Sequence, residues 1–368
     1  MRTHRWYKIL AHACRIMLAL VFIFSGFVKA VDPWGTALNM SNYFTSYHAD
    51  FMQPYVMPFS IWMCGAELMM GLMLIFKVRI RLISIFSVLT MIFFTVLTYL
   101  SLGIIPIEDC GCFGHAIHLS AKETFIKNLV LLPMSIIVWY RYLPDRIFAF
   151  SRLELLLTCI FCFLAMGLGT YSYFHLPPID FLPFGVGKNI AQEISLAKKV
   201  SQEQEVVLIY RNRRTGKLRE FSLKDKAWQN EKKWEWVDTR IKDDAEELIE
   251  PMPAEFYISD SSGRECTDEI INTKGRLYMV ILTKYSEIPS KCKEKLEKFI
   301  YKALSESSRV IILTSEDLSM PEYDFLMGVE MYNMDAKMLI TLLRARYGVV
   351  TVDDGTIIEK INCNDIVF

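Results

Sequence analysis

Asp109-Cys110-Gly111-Cys112-Phe113-Gly114 lies between two apolar runs, residues 82–105 and 125–142. Two thiols one residue apart at a membrane surface can close a small, strained disulfide, and strain makes a disulfide easier to reduce. The flanks of this stretch decide the fold. An apolar run of about 18 residues or more can cross a bilayer. Five runs pass or approach that length: residues 9–31, 59–76, 82–105, 125–142 and 153–174. The cysteine pair therefore falls in the loop between the third and fourth of five predicted membrane helices. The first run starts with basic residues, as a signal peptide does. No small-x-small cleavage site follows it, and Lys29 and Asp32 close it, so a retained helix is expected.

Charge divides the chain. Lys plus Arg and Asp plus Glu number 41 each, and this balance gives no reason to expect a nucleic-acid partner. Nearly all long apolar runs precede residue 174, and most Lys and Glu follow it. Arg2, Arg5, Lys8 and Arg15 open the first run, whereas residues 32–58 contain no Lys or Arg. Lys77, Arg79 and Arg81 crowd the next turn. The loop with the cysteine pair has Lys122 as its only basic residue, and Arg141, Arg146 and Arg152 mark the connection after it. Basic residues collect on the cytoplasmic side, so the alternation predicts a cytoplasmic N-terminus and an odd number of crossings. Cys110, Cys112 and everything after residue 174 are then expected outside, where a disulfide can persist.

Ionisable residues inside the runs are the next candidates. Glu67 lies well within residues 59–76, where a carboxyl is costly without a partner; Lys29 and Lys127 are the candidate partners. Lys29, about one turn from the outer end of its helix, could instead snorkel to water. Ser25 and Gly26 suit close helix approach. Ser120 and Glu123 form a capping box for the fourth helix, whose early turns hold Lys127 and Asn128 near the cysteines. A cation there favours a thiolate. Cys-x-Cys-x-x-His-x-x-His, with His115 and His118, could alternatively hold a soft metal. Cys159 and Cys162 share one helix face and read as packing residues. The nine cysteines are too scattered for a disulfide scaffold.

Phe24-Ser25-Gly26-x-x-Lys29 with Asp32-Pro33, the buried Glu67, and Asp109–Gly114 followed by Phe125-Ile126-Lys127-Asn128-Leu129 resemble the DoxX/MauE group. The resemblance spans about residues 7–142. It implies a four-helix core in a bacterial inner membrane and thiol- or quinone-linked redox work, as in the maturation of disulfide-containing partners. A quinone is the one cofactor it suggests.

Beyond the membrane runs, 206–210 and 218–223 flank Arg214-Thr215-Gly216-Lys217 as a hairpin, and the charged residues 231–250 read as a solvated surface region. From residue 276 the pattern is regular: strand 277–282, helix 289–304, strand 310–313, helix 335–346, then strands 349–352 and 356–361 around Asp353-Asp354-Gly355. This order resembles a thioredoxin-like domain over about residues 254–362. The resemblance lacks its Cys-x-x-Cys: Lys284 to Cys292 supplies a lone cysteine in the first helical turn, read as a packing residue or a weak candidate nucleophile. The proline expected before the strand at 349 is replaced by Tyr347-Gly348.

The resulting expectation is an α-helical membrane bundle followed by a soluble α/β thioredoxin-like domain. Residues 1–150 form the DoxX/MauE-like bundle, 151–186 a fifth membrane helix and exit linker, 187–253 a hairpin-containing connection and 254–368 the thioredoxin-like domain. Cys110 and Cys112 are the expected redox pair, with Lys29, Glu67, Lys127 and Asn128 supporting them. The partners expected are the lipid bilayer and an extracytoplasmic thiol or disulfide protein, with the C-terminal domain in the periplasm. The competing classes are a non-catalytic membrane adaptor and, more weakly, a metal-handling membrane protein.

Overall fold

The computed structural model describes residues 2–103, 111–143 except 115 and 118, 151–203 except 182, 206–241 except 214, 223, 224, 226, 227, 229, 231 and 232, 256–318 and 328–367. Cys110, His115, His118 and Arg146 lie outside the described residues.

The membrane half contains α1 (Arg2–Val31), α2 (Pro33–Ser46), α3 (Val56–Phe76), α4 (Ile80–Gly103), α5 (Ala121–Tyr142) and α6 (Arg152–Phe174). Among the described residues, four helices are long and apolar enough to cross a membrane: α1, α3, α4 and α6. The fifth expected crossing, α5, has 22 residues, or about 33 Å at ~1.5 Å per residue, against a hydrocarbon core of ~30 Å. Lys127, Asn128 and Arg141 dilute its apolarity. It nevertheless runs the depth of the bundle. Near one end Lys127 Nζ sits 4.2 Å from the centroid of the Phe113 ring. At the other the Tyr7 hydroxyl donates to the Ile137 carbonyl at 3.2 Å. Trp34, just after α1, stacks on Tyr173 near the end of α6 at 5.6 Å, so α1 and α6 finish at the same end of the bundle.

Close approach of α1 to α3 organises the interior. A Cβ on Gly26 would lie 2.3 Å from the Leu68 amide nitrogen, and one on Gly71 would lie 2.6 Å from that of Ile23. Only hydrogen at these positions lets the two backbones meet. At the opposite end Arg15 donates to the Leu74 carbonyl and, at 2.8 Å, to that of Ile75, closing the C-terminal end of α3. The expected capping box at Ser120 and Glu123 is present, and a second joins Ser151 and Glu154. The reading of Cys159 and Cys162 as packed residues is corrected: both are exposed on α6, directed away from the bundle.

After the membrane half come α7 (Ile190–Glu203), β1 (Val206–Asn212), β2 (Leu218–Ser222) and β3 (Trp234–Ile241). The expected hairpin is β1–β2. The charged region reads differently from expectation: β3 pairs antiparallel with β1 to give the order β2-β1-β3. The strand pattern beginning at Trp234 is obscured by neighbouring charges; Trp234 is buried on Phe221 and Leu208, whereas Trp236 is exposed.

Then follow α8 (Thr267–Ile271), β4 (Arg276–Leu282), α9 (Ser290–Ser305), β5 (Arg309–Thr314), β6 (Glu330–Asn333), α10 (Ala336–Leu343), β7 (Tyr347–Asp353) and β8 (Thr356–Asn362). The five-stranded sheet has the order β6-β5-β4-β7-β8. β4, β5 and β6 run parallel, and β7 and β8 are each antiparallel to their predecessor in the sheet. Ile190 and Ile194 of α7 and Leu339 and Leu342 of α10 cover one face; Leu296 and Ile300 of α9 cover the other. The lone-cysteine reading of Cys292 is also corrected. Cys292 forms a disulfide with Cys363, 71 residues away, which ties the first turn of α9 to the short helical turn after β8.

Candidate functional site

Ser25 and Lys29 are one helical turn apart on α1 and so share a face. The contact at Gly26 presents that face to Glu67 of α3. Lys29 Nζ lies 2.8 Å from Glu67 Oε1 and 2.7 Å from Oε2, and both residues are 3% exposed. This chooses between the two expected partners of Glu67: it is Lys29, which does not snorkel. A pair so desolvated is held by geometry and extra hydrogen bonds rather than by Coulomb attraction alone. Ser25 supplies one such bond, its Oγ lying 2.8 Å from Glu67 Oε2.

The same Ser25 Oγ lies 2.6 Å from the backbone carbonyl oxygen of Cys112. The Ser25 hydroxyl thus joins the cysteine loop to the ion pair. The loop's glycines make the approach possible. Gly111 and Gly114 have φ of +61° and +54°, and the Gly114 amide donates to the Gly111 carbonyl at 3.1 Å, closing a tight turn. A Cβ on Gly114 would meet Val28 at 3.2 Å, and one on Gly111 would meet the side-chain Nδ2 of Asn39, on α2, at 2.6 Å. The turn therefore lies against both α1 and α2. Phe113 packs edge-on against Phe24 at 5.4 Å and receives Lys127 on its ring. Lys29 is within electrostatic reach of the Cys112 and Cys64 side chains as well as of Glu67.

Of the expected site residues, Lys29, Glu67 and the Cys112 peptide converge, and Lys127 joins them through Phe113. Asn128 turns to α4 instead, donating to the Phe94 carbonyl at 3.3 Å and approaching Thr98 Oγ1 at 3.4 Å. Cys110 lies outside the described residues. By sequence Ser25 suits close helix packing; its four-residue spacing from Lys29 is the available signal of a polar role. Among the described residues, no group of three or more His, Cys, Asp and Glu could hold a metal ion.

Four long apolar helices around a buried Lys–Glu pair are the architecture of an integral membrane protein. Residues 7–141 match the model of the family described as methylamine utilisation protein MauE, so the membrane half is MauE-like. No curated protein and no solved structure matches the chain.

Proposed function

We propose that this MauE-like membrane protein exchanges disulfides, and with them electrons, between the membrane and an extracytoplasmic partner through Cys110 and Cys112. The two thiols supply two electrons and two protons and end as one disulfide; the partner's disulfide takes both and ends as two thiols. The observation that carries this reading is the hydrogen bond from Ser25 that anchors the Cys112 peptide beside the buried Lys29–Glu67 pair. An inert surface loop has no need of a desolvated ion pair beneath it, and intramembrane charges mark working sites.

Five crossings with a cytoplasmic N-terminus fit the basic residues and the shared end of α1 and α6. The Cys292–Cys363 disulfide favours an oxidising compartment, hence the periplasm, for the sheet domain. That domain reads as thioredoxin-like: β5-β4-β7-β8, with α9 after β4 and α10 before β7, has the strand order and directions of that fold. With Cys292 engaged by Cys363, its role is to hold a partner rather than to reduce one.

The test is trapping. Cells carrying Cys112→Ser should accumulate a mixed disulfide between Cys110 and an envelope protein, resolved by dithiothreitol and absent from Cys110→Ser/Cys112→Ser. Equal recovery of the same partner by the double variant, with no mixed disulfide in either, would leave a non-catalytic adaptor.

A further inference from the structure

Asn39 breaks two local rules at once. It sits in the middle of α2, where asparagine is a poor helix former, and its Nδ2 is buried with no hydrogen-bond partner among the described residues. A buried donor left unpaired costs stability, and residues that break local rules mark working sites. The surroundings of this donor say what work it does. The tight turn of the cysteine loop lies on it: a Cβ on Gly111 would fall 2.6 Å from Nδ2 and 3.4 Å from the Asn39 side-chain carbonyl carbon. Only a glycine between the two cysteines admits the amide. The Cα of Cys112 is one peptide further on, ~3.8 Å from that of Gly111.

We infer that Asn39 is the hydrogen-bond donor for the Cys112 thiolate. A thiol is a weak acceptor and leaves the amide idle, whereas a thiolate is a full one. Donation to the charged form raises the thiolate fraction, and a donor already in place needs no rearrangement when the charge appears. The cations nearby are otherwise engaged. Lys29 lies within electrostatic reach of Cys112, but its ammonium donates to Glu67 at 2.8 and 2.7 Å, so the pair presents little net charge to the loop. Lys127 rests on the Phe113 ring, and the Ser25 hydroxyl serves Glu67 and the Cys112 carbonyl.

The place of this donor in a reaction rests on the exchange proposed above; the donation itself does not. In that exchange Cys110 opens the partner's disulfide and Cys112 resolves the intermediate. The Cys112 thiol gives its proton to solvent, and the thiolate attacks the Cys110 sulfur. The Cys110–Cys112 bond forms, the bond to the partner breaks, and the partner's sulfur leaves with the electron pair and takes a proton from solvent. Asn39 acts on the attacking sulfur, so its loss lengthens the life of the mixed disulfide.

The experiment follows iodoacetamide alkylation of Cys112 in the reduced full chain in detergent, resolved by peptide mass, across a pH series. Asn39→Ala should move the rate profile up by about one pH unit, a roughly tenfold slower reaction at any pH below it, and converge with wild type where the thiolate is complete. Asn39→Asp, equal in shape but unable to donate when ionised, should slow the reaction at least as much. Thermal unfolding is the second readout. Removing a donor that makes no bond should leave Asn39→Ala at or above wild type, whereas losing a structural hydrogen bond would lower it. An unshifted profile in Asn39→Ala, or wild-type reactivity in Asn39→Asp, would overturn the assignment. So would an Asn39→Ala chain that unfolds at a lower temperature or fails to fold. Shifted profiles with no trappable mixed disulfide would keep the donor and reject the exchange; a trapped mixed disulfide with unshifted profiles would do the reverse.

Discussion

Arg344, in the left-handed residue that ends α10, places a guanidinium nitrogen 3.1 Å from the Asp32 carboxylate at the end of α1. Arg344 is 1% exposed, although it belongs to the sheet domain and its partner to the membrane half. Asp32 follows Lys29 by three residues, so the last turns of α1 carry two buried ion pairs with different destinations. Lys29 reaches inward to Glu67, and Asp32 reaches outward to Arg344. Around this contact Lys337 donates to Asn42 of α2 at 3.0 Å, and Asn364 donates to the Phe174 carbonyl at the end of α6 at 2.7 Å.

Removing Arg344 takes the guanidinium from the buried Asp32 carboxylate, which keeps the Gly35 amide it caps at 3.0 Å. Arg344→Met alone should destabilise the docked arrangement by about 3–5 kcal/mol, and Asp32→Asn together with Arg344→Met, which removes both charges but keeps an oxygen to cap α2, should recover most of that. Cysteines at Asn42 and Lys337 report the docking: their cross-linking should collapse in the single variant and return in the double. Undiminished cross-linking in Arg344→Met would mean that the ion pair does not hold the two halves together.

Gly26 sets the α1–α3 approach, so a methyl there should drive the helices apart. Gly26→Ala should cost more than the roughly 1 kcal/mol that alanine gains in helix propensity, by about 1–3 kcal/mol of overpacking. Gly167 of α6 is the control, because no atom lies within 4 Å of the Cβ it would carry. Thermal unfolding in detergent should place Gly26→Ala below wild type and Gly167→Ala at or above it. The reverse order would refute the close contact.

The Cys292–Cys363 bond holds the short turn that also meets the end of α6, where His175 Nδ1 lies 2.5 Å from Asp365 Oδ1. Without reductant, neither cysteine should take up an alkylating mass label in the denatured chain. Cys292→Ser/Cys363→Ser should lower stability by roughly 4 kcal/mol, the loop-closure value for a long loop. Amide exchange should rise first near residues 362–366. Full labelling of both thiols in protein isolated under oxidising conditions would place this domain in a reducing compartment.

Much of this architecture is legible along the chain, because it depends on local pattern. The apolar runs mark the membrane helices, short continuous apolar stretches rich in Val, Ile and Leu mark β4, β5 and β7, and Ser120 with Glu123 marks a helix start. β3 is hidden because its one buried anchor, Trp234, sits among charged and exposed residues, and β6 because four residues carry too short a pattern. α2 was missed since Asp32-Pro33, a helix start in the structure, also reads as the end of the first membrane run.

The sequence by itself determined that Glu67 needed a partner, that a cysteine pair occupied a turn between membrane helices, and that a strand–helix sheet domain followed. Tertiary structure decided which groups meet. Lys29 rather than Lys127 pairs with Glu67 because hydrogen-only side chains at Gly26 and Gly71 bring α1 against α3, and in a desolvated interior the partner is whichever charge the packing delivers. Ser25 gained two acceptors from two distant segments, Cys292 found Cys363, and Arg344 found Asp32. Each of these joins residues far apart in the chain, and short-range pattern carries no record of such pairings.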